Sequence, residues 1–145
     1  MVKQFEHLSP EEQELLFKAP VIVSVLASCN HNTINETQKK DAVKLAHFKT
    51  FTAAPLLLPY YNEIDKNFKE EFEAMVKKYS PFDDENRLAL KNELIKIKSI
   101  ISKLDPGYAQ LLVKSLEKYS RHVKKAGHSV IEDFIFPIPI PGLSA

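Results

Sequence analysis

The sequence predicts an all-α fold: a single domain over residues 1–145, built as a bundle of five to six helices, with a short N-terminal arm (1–8) and an extended, proline-rich C-terminal strap (128–145). Three observations carry that expectation. The chain holds three glycines in 145 residues, whereas a β protein needs turn residues every eight to twelve or so positions. Period-two alternation is almost absent. Apolar residues instead recur three and four positions apart, the spacing that lines up one face of a helix.

Each element has its own start and stop. Ser9-Pro10-Glu11-Glu12 opens the first helix. The Ser9 hydroxyl can accept from the third helical amide, Pro10 occupies a first-turn position where no amide bond is lost, and Glu12 completes a capping box. Pro20 cannot donate to residue 16 and its ring crowds that carbonyl, which predicts a kink or two abutting helices over 10–18 and 20–29. The second piece, Ala19 to Cys29, is apolar all round. Its β-branched content also fits a buried strand, but its length and the lack of a pairing strand favour a helix at the centre of the bundle.

After the polar break Asn30-His31-Asn32-Thr33, Asn35 and Gln38 supply the next cap, and a helix runs from Glu36 to about Lys49 with Ala42, Val43 and Ala46 as a modest apolar face. Residues 56–79 give the clearest helix. Tyr61, Ile64, Phe68, Phe72, Met75, Val76 and Tyr79 fall within about 120° of one another at roughly 100° per residue, a core-facing stripe. Ser80-Pro81 ends it. Asp83 or Asp84 caps a helix with the stripe Leu90, Leu94, Ile97, Ile101 and Leu104; Asp105-Pro106 starts the last one, in which Tyr108, Leu112, Leu116, Tyr119 and Val123 face inward until Gly127 offers a C-terminal cap.

Composition narrows the class of function. Apolar residues at 44% and charged residues at 27% are globular proportions. A chain of this length buries about two-thirds of its unfolded surface, so neither metal nor disulfide is needed for stability. Cys29 is the sole cysteine, which excludes an intrachain disulfide and fits a reducing, cytoplasmic setting. The opening Met1-Val2-Lys3-Gln4-Phe5-Glu6 lacks the apolar core of a secretory signal. The uncharged apolar run Ala19 to Cys29 has eleven residues, short of the roughly 20 that span a bilayer.

Charge is polarised along the chain. Residues 1–85 carry a net −4 and residues 86–145 a net +5. On the last helix Lys114, Lys118, Arg121 and Lys125 lie within about 60° of one another, opposite the apolar stripe. Such a ridge suits an anionic partner, whether an acidic protein surface, a phospholipid face or nucleic acid; it suits as well a solvated outer face, or pairing with the acidic first half of the same fold, and that plainer reading is preferred. No recognition-helix or single-strand-binding motif accompanies it, so no specific nucleic acid is expected. In the strap, alternating prolines forbid helix and hold Phe134, Phe136, Ile138 and Ile140 on an extended backbone. These side chains require burial, against the chain's own helices, a second copy or a protein partner's groove. The ridge and the strap are the expected partner-binding residues.

Chemical motifs are missing. No H-E-x-x-H, paired C-x-x-C, Walker loop, G-x-G-x-x-G or E-x-x-H occurs, so neither a catalytic residue nor a cofactor is expected. His7, His31, His47, His122 and His128 have no metal spacing. Cys29 lies beside His31, whose charge could activate a thiolate, but a residue two positions away in a polar turn reads as a neighbour. The residues that could begin a metal or small-ligand site are His31, Asn32, Glu36 and Asp41, in and after the loop that follows Cys29. That loop has one carboxylate where a calcium site uses several, and no glycine for the sharp turn. Glu36 and Asp41 are five residues apart and point to different sides of a helix.

The stretch Ala27-Ser28-Cys29-Asn30-His31-Asn32-Thr33-Ile34-Asn35-Glu36-Thr37-Gln38, following Ala-Pro-Val-Ile-Val, resembles the helix-loop-helix of the TerB-like family of tellurite-resistance-associated helical proteins. That pattern runs alanine, then Asp-Gly-x-Ile, then a helix cap with glutamate at its third position. Ile34 matches the loop isoleucine and Asn35 the cap. His31 stands in place of the aspartate, Asn32 of the glycine and Gln38 of the glutamate. Asparagine keeps a left-handed turn accessible, so the resemblance, over residues 15–80, implies the helical fold. The family's acidic cluster, thought to bind divalent metal, is lost. Two readings remain: a non-catalytic interaction or adaptor domain, stress-associated as the resemblance implies, or a metal- or ligand-binding protein or enzyme with its site between residues 29 and 41.

Overall fold

Pro20 has no amide proton for the Leu16 carbonyl, yet the first helix, α1 (Pro10–Ser28), runs straight through it as one element rather than two. The reason lies far along the chain. The buried Tyr60 hydroxyl donates to the Leu16 carbonyl at 2.6 Å, supplying the bond that proline withholds. Ser24 in turn donates its hydroxyl to the Pro20 carbonyl at 2.7 Å. At the start of α1 the capping box forms in both directions: Ser9 N donates to Glu12 Oε1 at 3.0 Å and Glu12 N to Ser9 Oγ at 3.1 Å.

The computed structural model describes residues 2–30, 33–34 and 36–124. Beyond α1 it contains α2 (Glu36–Thr52), α3 (Leu58–Tyr79), α4 (Asp84–Ile101) and α5 (Pro106–Lys124), so the chain is an all-α bundle. Two departures from the predicted boundaries have local causes. Pro55 starts a separate 3-10 turn (Pro55–Leu57) before α3, so the helix begins at residue 58 rather than 56. α2 continues past Lys49 to Thr52, where the Thr50 and Thr52 hydroxyls donate to the His47 and Phe48 carbonyls. The link between α1 and α2 closes as a two-residue antiparallel pair, β1 (Cys29–Asn30) with β2 (Thr33–Ile34), in the register Cys29↔Ile34 and Asn30↔Thr33. Asp83 caps α4 by accepting from Asn86 N at 2.8 Å, and Asp105 caps α5 by accepting from Tyr108 N at 3.2 Å.

Every residue from Ala19 to Ala27 is buried, and α1 packs against α2, α3, α4 and α5, the central position its all-round apolarity predicts. The stripes on α4 and α5 are buried as read, apart from Val123, which lies outside the side chains described. On α3 the inner face is Tyr60, Tyr61, Ile64, Phe68 and Phe72, while Met75, Val76 and Tyr79 are only partly covered. The residues before α1 wind into a 3-10 turn (Lys3–Phe5) and bury Val2, Phe5 and Leu8 in the same core. Phe5 meets Phe17, Tyr60 and Tyr108 edge-on, at centroid distances of 5.4 to 5.9 Å.

The centre carries an unusual share of hydroxyls. Tyr61 shares a hydrogen bond with Ser115 at 2.5 Å, and Tyr119 donates to the Ala42 carbonyl at 2.7 Å. Burial pushes the phenols of Tyr60, Tyr61, Tyr108 and Tyr119 above the ordinary tyrosine range. These phenols stay neutral: Tyr60 and Tyr119 donate to carbonyls of other helices, and Tyr61 shares its bond with Ser115 of α5.

Candidate functional site

Of the four loop residues singled out for metal or ligand, His31 and Asn32 lie outside the described residues. Glu36 and Asp41 fall on α2, Asp41 half-buried. Among the described residues no group of three or more His, Cys, Asp or Glu could hold a metal ion. The strap residues Phe134, Phe136, Ile138 and Ile140, and Lys125 of the ridge, also lie outside the described residues. Lys114, Lys118 and Arg121 are exposed on the outer side of α5, with Arg121 paired to Glu117 one turn back.

The ridge does not stop at α5. Lys49 of α2 is half-buried, and loss of water together with the charge of Lys118 lowers its pKa. Cations of the two helices therefore stand near one another across the α2–α5 contact. On the other flank of α2 a cleft of about 350 Å³ is lined by Lys39, Lys40, Val43, Lys44, Lys69 and Glu73. Lys39 pairs with Glu73 at 2.9 Å, and this bond, with Lys69 nearby, holds the Glu73 carboxyl below the usual carboxylate range. Four lysines and one carboxylate around a single opening leave it cationic.

α2 itself is built inside out. Ala42 and Ala46 face the core at 0% exposure, whereas Phe48 and Phe51 are 54% and 61% exposed and Leu56, on the turn that follows, is 51% exposed. The Phe48 and Phe51 rings lie 5.4 Å apart. At roughly 100° per residue Phe51, Lys44 and Lys40 share one outward face, with Phe48 and His47 at its margins. All five are exposed. Sequence reading found the alanine face and passed over the two phenylalanines. A signal was available: Phe48 and Phe51 fall roughly 140–160° away from the alanine face at that helical pitch, too far to share it.

The opposite side of α3 has the reverse character. A groove of about 340 Å³ between α1 and α3 is lined by Phe17, Ile64 and Phe68 together with Glu14, Glu63 and Glu71. Charge is thus divided in space differently from along the sequence: the lysines gathered around α2 belong to the net-acidic first 85 residues, and the α1–α3 groove sets three carboxylates against Lys18. No family model, curated protein or solved structure matches the chain.

Proposed function

We propose that this protein is a non-catalytic helical interaction domain that works by association, through the lysine-rich face formed by α2 and its neighbours on α3 and α5. The observation that carries the reading is the inversion of α2: two alanines turned to the core and two phenylalanines turned to water, beside Lys40 and Lys44. Large apolar side chains stay in water at a free-energy cost that a contact surface recovers on binding. The lysines select for a negatively charged partner. An adaptor in a reducing, cytoplasmic setting, a divergent member of the TerB-like family with a stress-associated role, is the identity that the sequence resemblance and the lone Cys29 support.

The test is retention on a polyanionic matrix such as immobilised heparin. Charge reversal at Lys40, Lys44 and Lys118 is expected to lower the salt needed for elution, and reversal at Lys18 and Lys78, which line a pocket between α1 and α3, to change it little. Equal effects from the two sets would remove the reading. Calorimetric titration covers the competing one, since a divalent ion held more tightly than about 10 μM, a sensor-range affinity, would point to a ligand site instead.

A further inference from the structure

We infer that the face of α2 docks on an anionic phospholipid bilayer, with Phe48, Phe51 and Leu56 entering the interface and Lys40, Lys44 and Lys69 meeting the headgroups. This rests on the association reading above and names its partner.

The first ground is the order of residues along one helix face. Lys40 and Lys44 occupy the first half of α2, while Phe48, Phe51 and, on the next turn, Leu56 gather at its end. An interfacial helix has the same parts: apolar side chains that reach the acyl boundary and lysines whose long stems keep their charge among the headgroups. The cleft beside Lys40 and Lys44 adds Lys69 from α3, a cationic opening of about 350 Å³ within two turns of the phenylalanines. Lys118 of α5, beside Lys49, extends the positive charge along the other flank.

Residue type then decides between a lipid and an acidic protein. Protein interfaces favour arginine and the aromatics, phenylalanine included, and are depleted in lysine, and their hot spots are mostly tryptophan, tyrosine and arginine seated in pockets, so it is the lysines and the unpocketed outward face that discriminate. Here the exposed aromatics are phenylalanines on the outward side of a helix and the cations are lysines. Arg121 is engaged with Glu117. Nearby carboxylates also have cationic or imidazole partners: Asp65 contacts His47 at 3.2 Å and Glu73 contacts Lys39 at 2.9 Å. No helix among the described residues is long and apolar enough to cross a membrane, so the contact is peripheral, made by one face.

Co-sedimentation of the full chain with vesicles tests this, comparing phosphatidylcholine alone with equal parts phosphatidylcholine and phosphatidylserine. Binding is expected on the mixed vesicles, not on the neutral ones, and to weaken with salt. The Lys40→Glu/Lys44→Glu/Lys69→Glu variant should lose at least about tenfold in partitioning, and Phe48→Ser/Phe51→Ser should lose a similar factor. Circular dichroism of both variants must match the parent, and a Lys18→Glu/Lys78→Glu control should bind as the parent does. Absence of binding to the mixed vesicles overturns the inference; if polyanion retention persists, the association reading stands without it. Binding that needs the lysines but ignores the phenylalanines also overturns it, because the contact is then purely electrostatic. So does a concentration-dependent dimer, seen by light scattering, that the phenylalanine variant abolishes, since the face is then occupied by a second copy.

Discussion

α2 and α3 lie side by side and antiparallel, His47 meeting Asp65 at one end and Lys39 meeting Glu73 at the other, yet they divide their large residues in opposite ways. α3 turns Tyr60, Tyr61, Phe68 and Phe72 inward and leaves charge outside. α2 turns two alanines inward and two phenylalanines outward. Both are helices of good length. One is held by what it buries. The other seats Ala42 and Ala46 in the core with Val43 and Leu45 partly packed against it, approaches closely because alanine is small, and keeps its two phenylalanines on the surface. Where a helix spends its large side chains separates the one that fills the core from the one that leaves apolar area in water.

Phenylalanine at two positions puts that contrast to its hardest test. Phe72→Ala should destabilise the protein by about 3–5 kcal/mol, the usual loss for emptying a buried aromatic site, whereas Phe51→Ala should stay within about 0.5 kcal/mol of the parent; urea unfolding of both variants measures the difference. Comparable losses would erase the distinction between the two helices.

High pH sharpens the same comparison, because the tyrosine-rich centre has a titration that α2 lacks. The phenols of Tyr60, Tyr61, Tyr108 and Tyr119 have folded-state pKa values above those of the unfolded chain. Below about pH 10 both states hold these protons and stability is unaffected. Above it the unfolded state ionises first, so stability falls by up to about 1.4 kcal/mol per pH unit for each such tyrosine. Alkaline unfolding followed by circular dichroism should coincide with the rise of phenolate absorbance from these groups. Phenolate appearing in the intact fold near pH 10 would contradict the buried network.

A smaller effect isolates a single bond. Tyr60→Phe strands the Leu16 carbonyl and should cost about 1–3 kcal/mol. In a Pro20→Ala background the restored amide can serve that carbonyl, so the same substitution should cost less, and a double-mutant cycle reads the difference. Tyr108→Phe is the control. Its hydroxyl has no hydrogen-bond partner among the described residues, and removing it should be close to neutral.

Much of the bundle was legible in the sequence because its signals are local. The capping box at Ser9, the cap at Asp83 and the stripes of α4 and α5 all lie within a turn or two of the residues they organise. Pro20 misled for the opposite reason: the hydroxyl that rescues its helix comes from residue 60, and no window of residues around the proline contains it. Tyr60 was missed as a core residue because it stands roughly 100° from Tyr61 on the same helix, and is buried where α1 and the turn that carries Phe5 close over it. At the candidate site, the charge of α5 could be read, but its continuation onto Lys49 and the lysine cleft between α2 and α3 depend on which helices become neighbours. The phenylalanines of α2 were visible as letters. Their exposure followed only once Ala42 and Ala46 were fixed as the inner face.

The bond from Tyr60 to the Leu16 carbonyl also bears on the order in which the protein is made. A chain emerging from the ribosome presents α1 before the residue that completes its hydrogen-bond ladder exists outside the exit tunnel. Until some forty more residues have been synthesised, the middle of that helix holds an unanswered acceptor, and the apolar stretch Ala19 to Ala27 lacks α3, α4 and α5 to cover it. Completion of α1 during synthesis therefore waits on a phenol from the third helix.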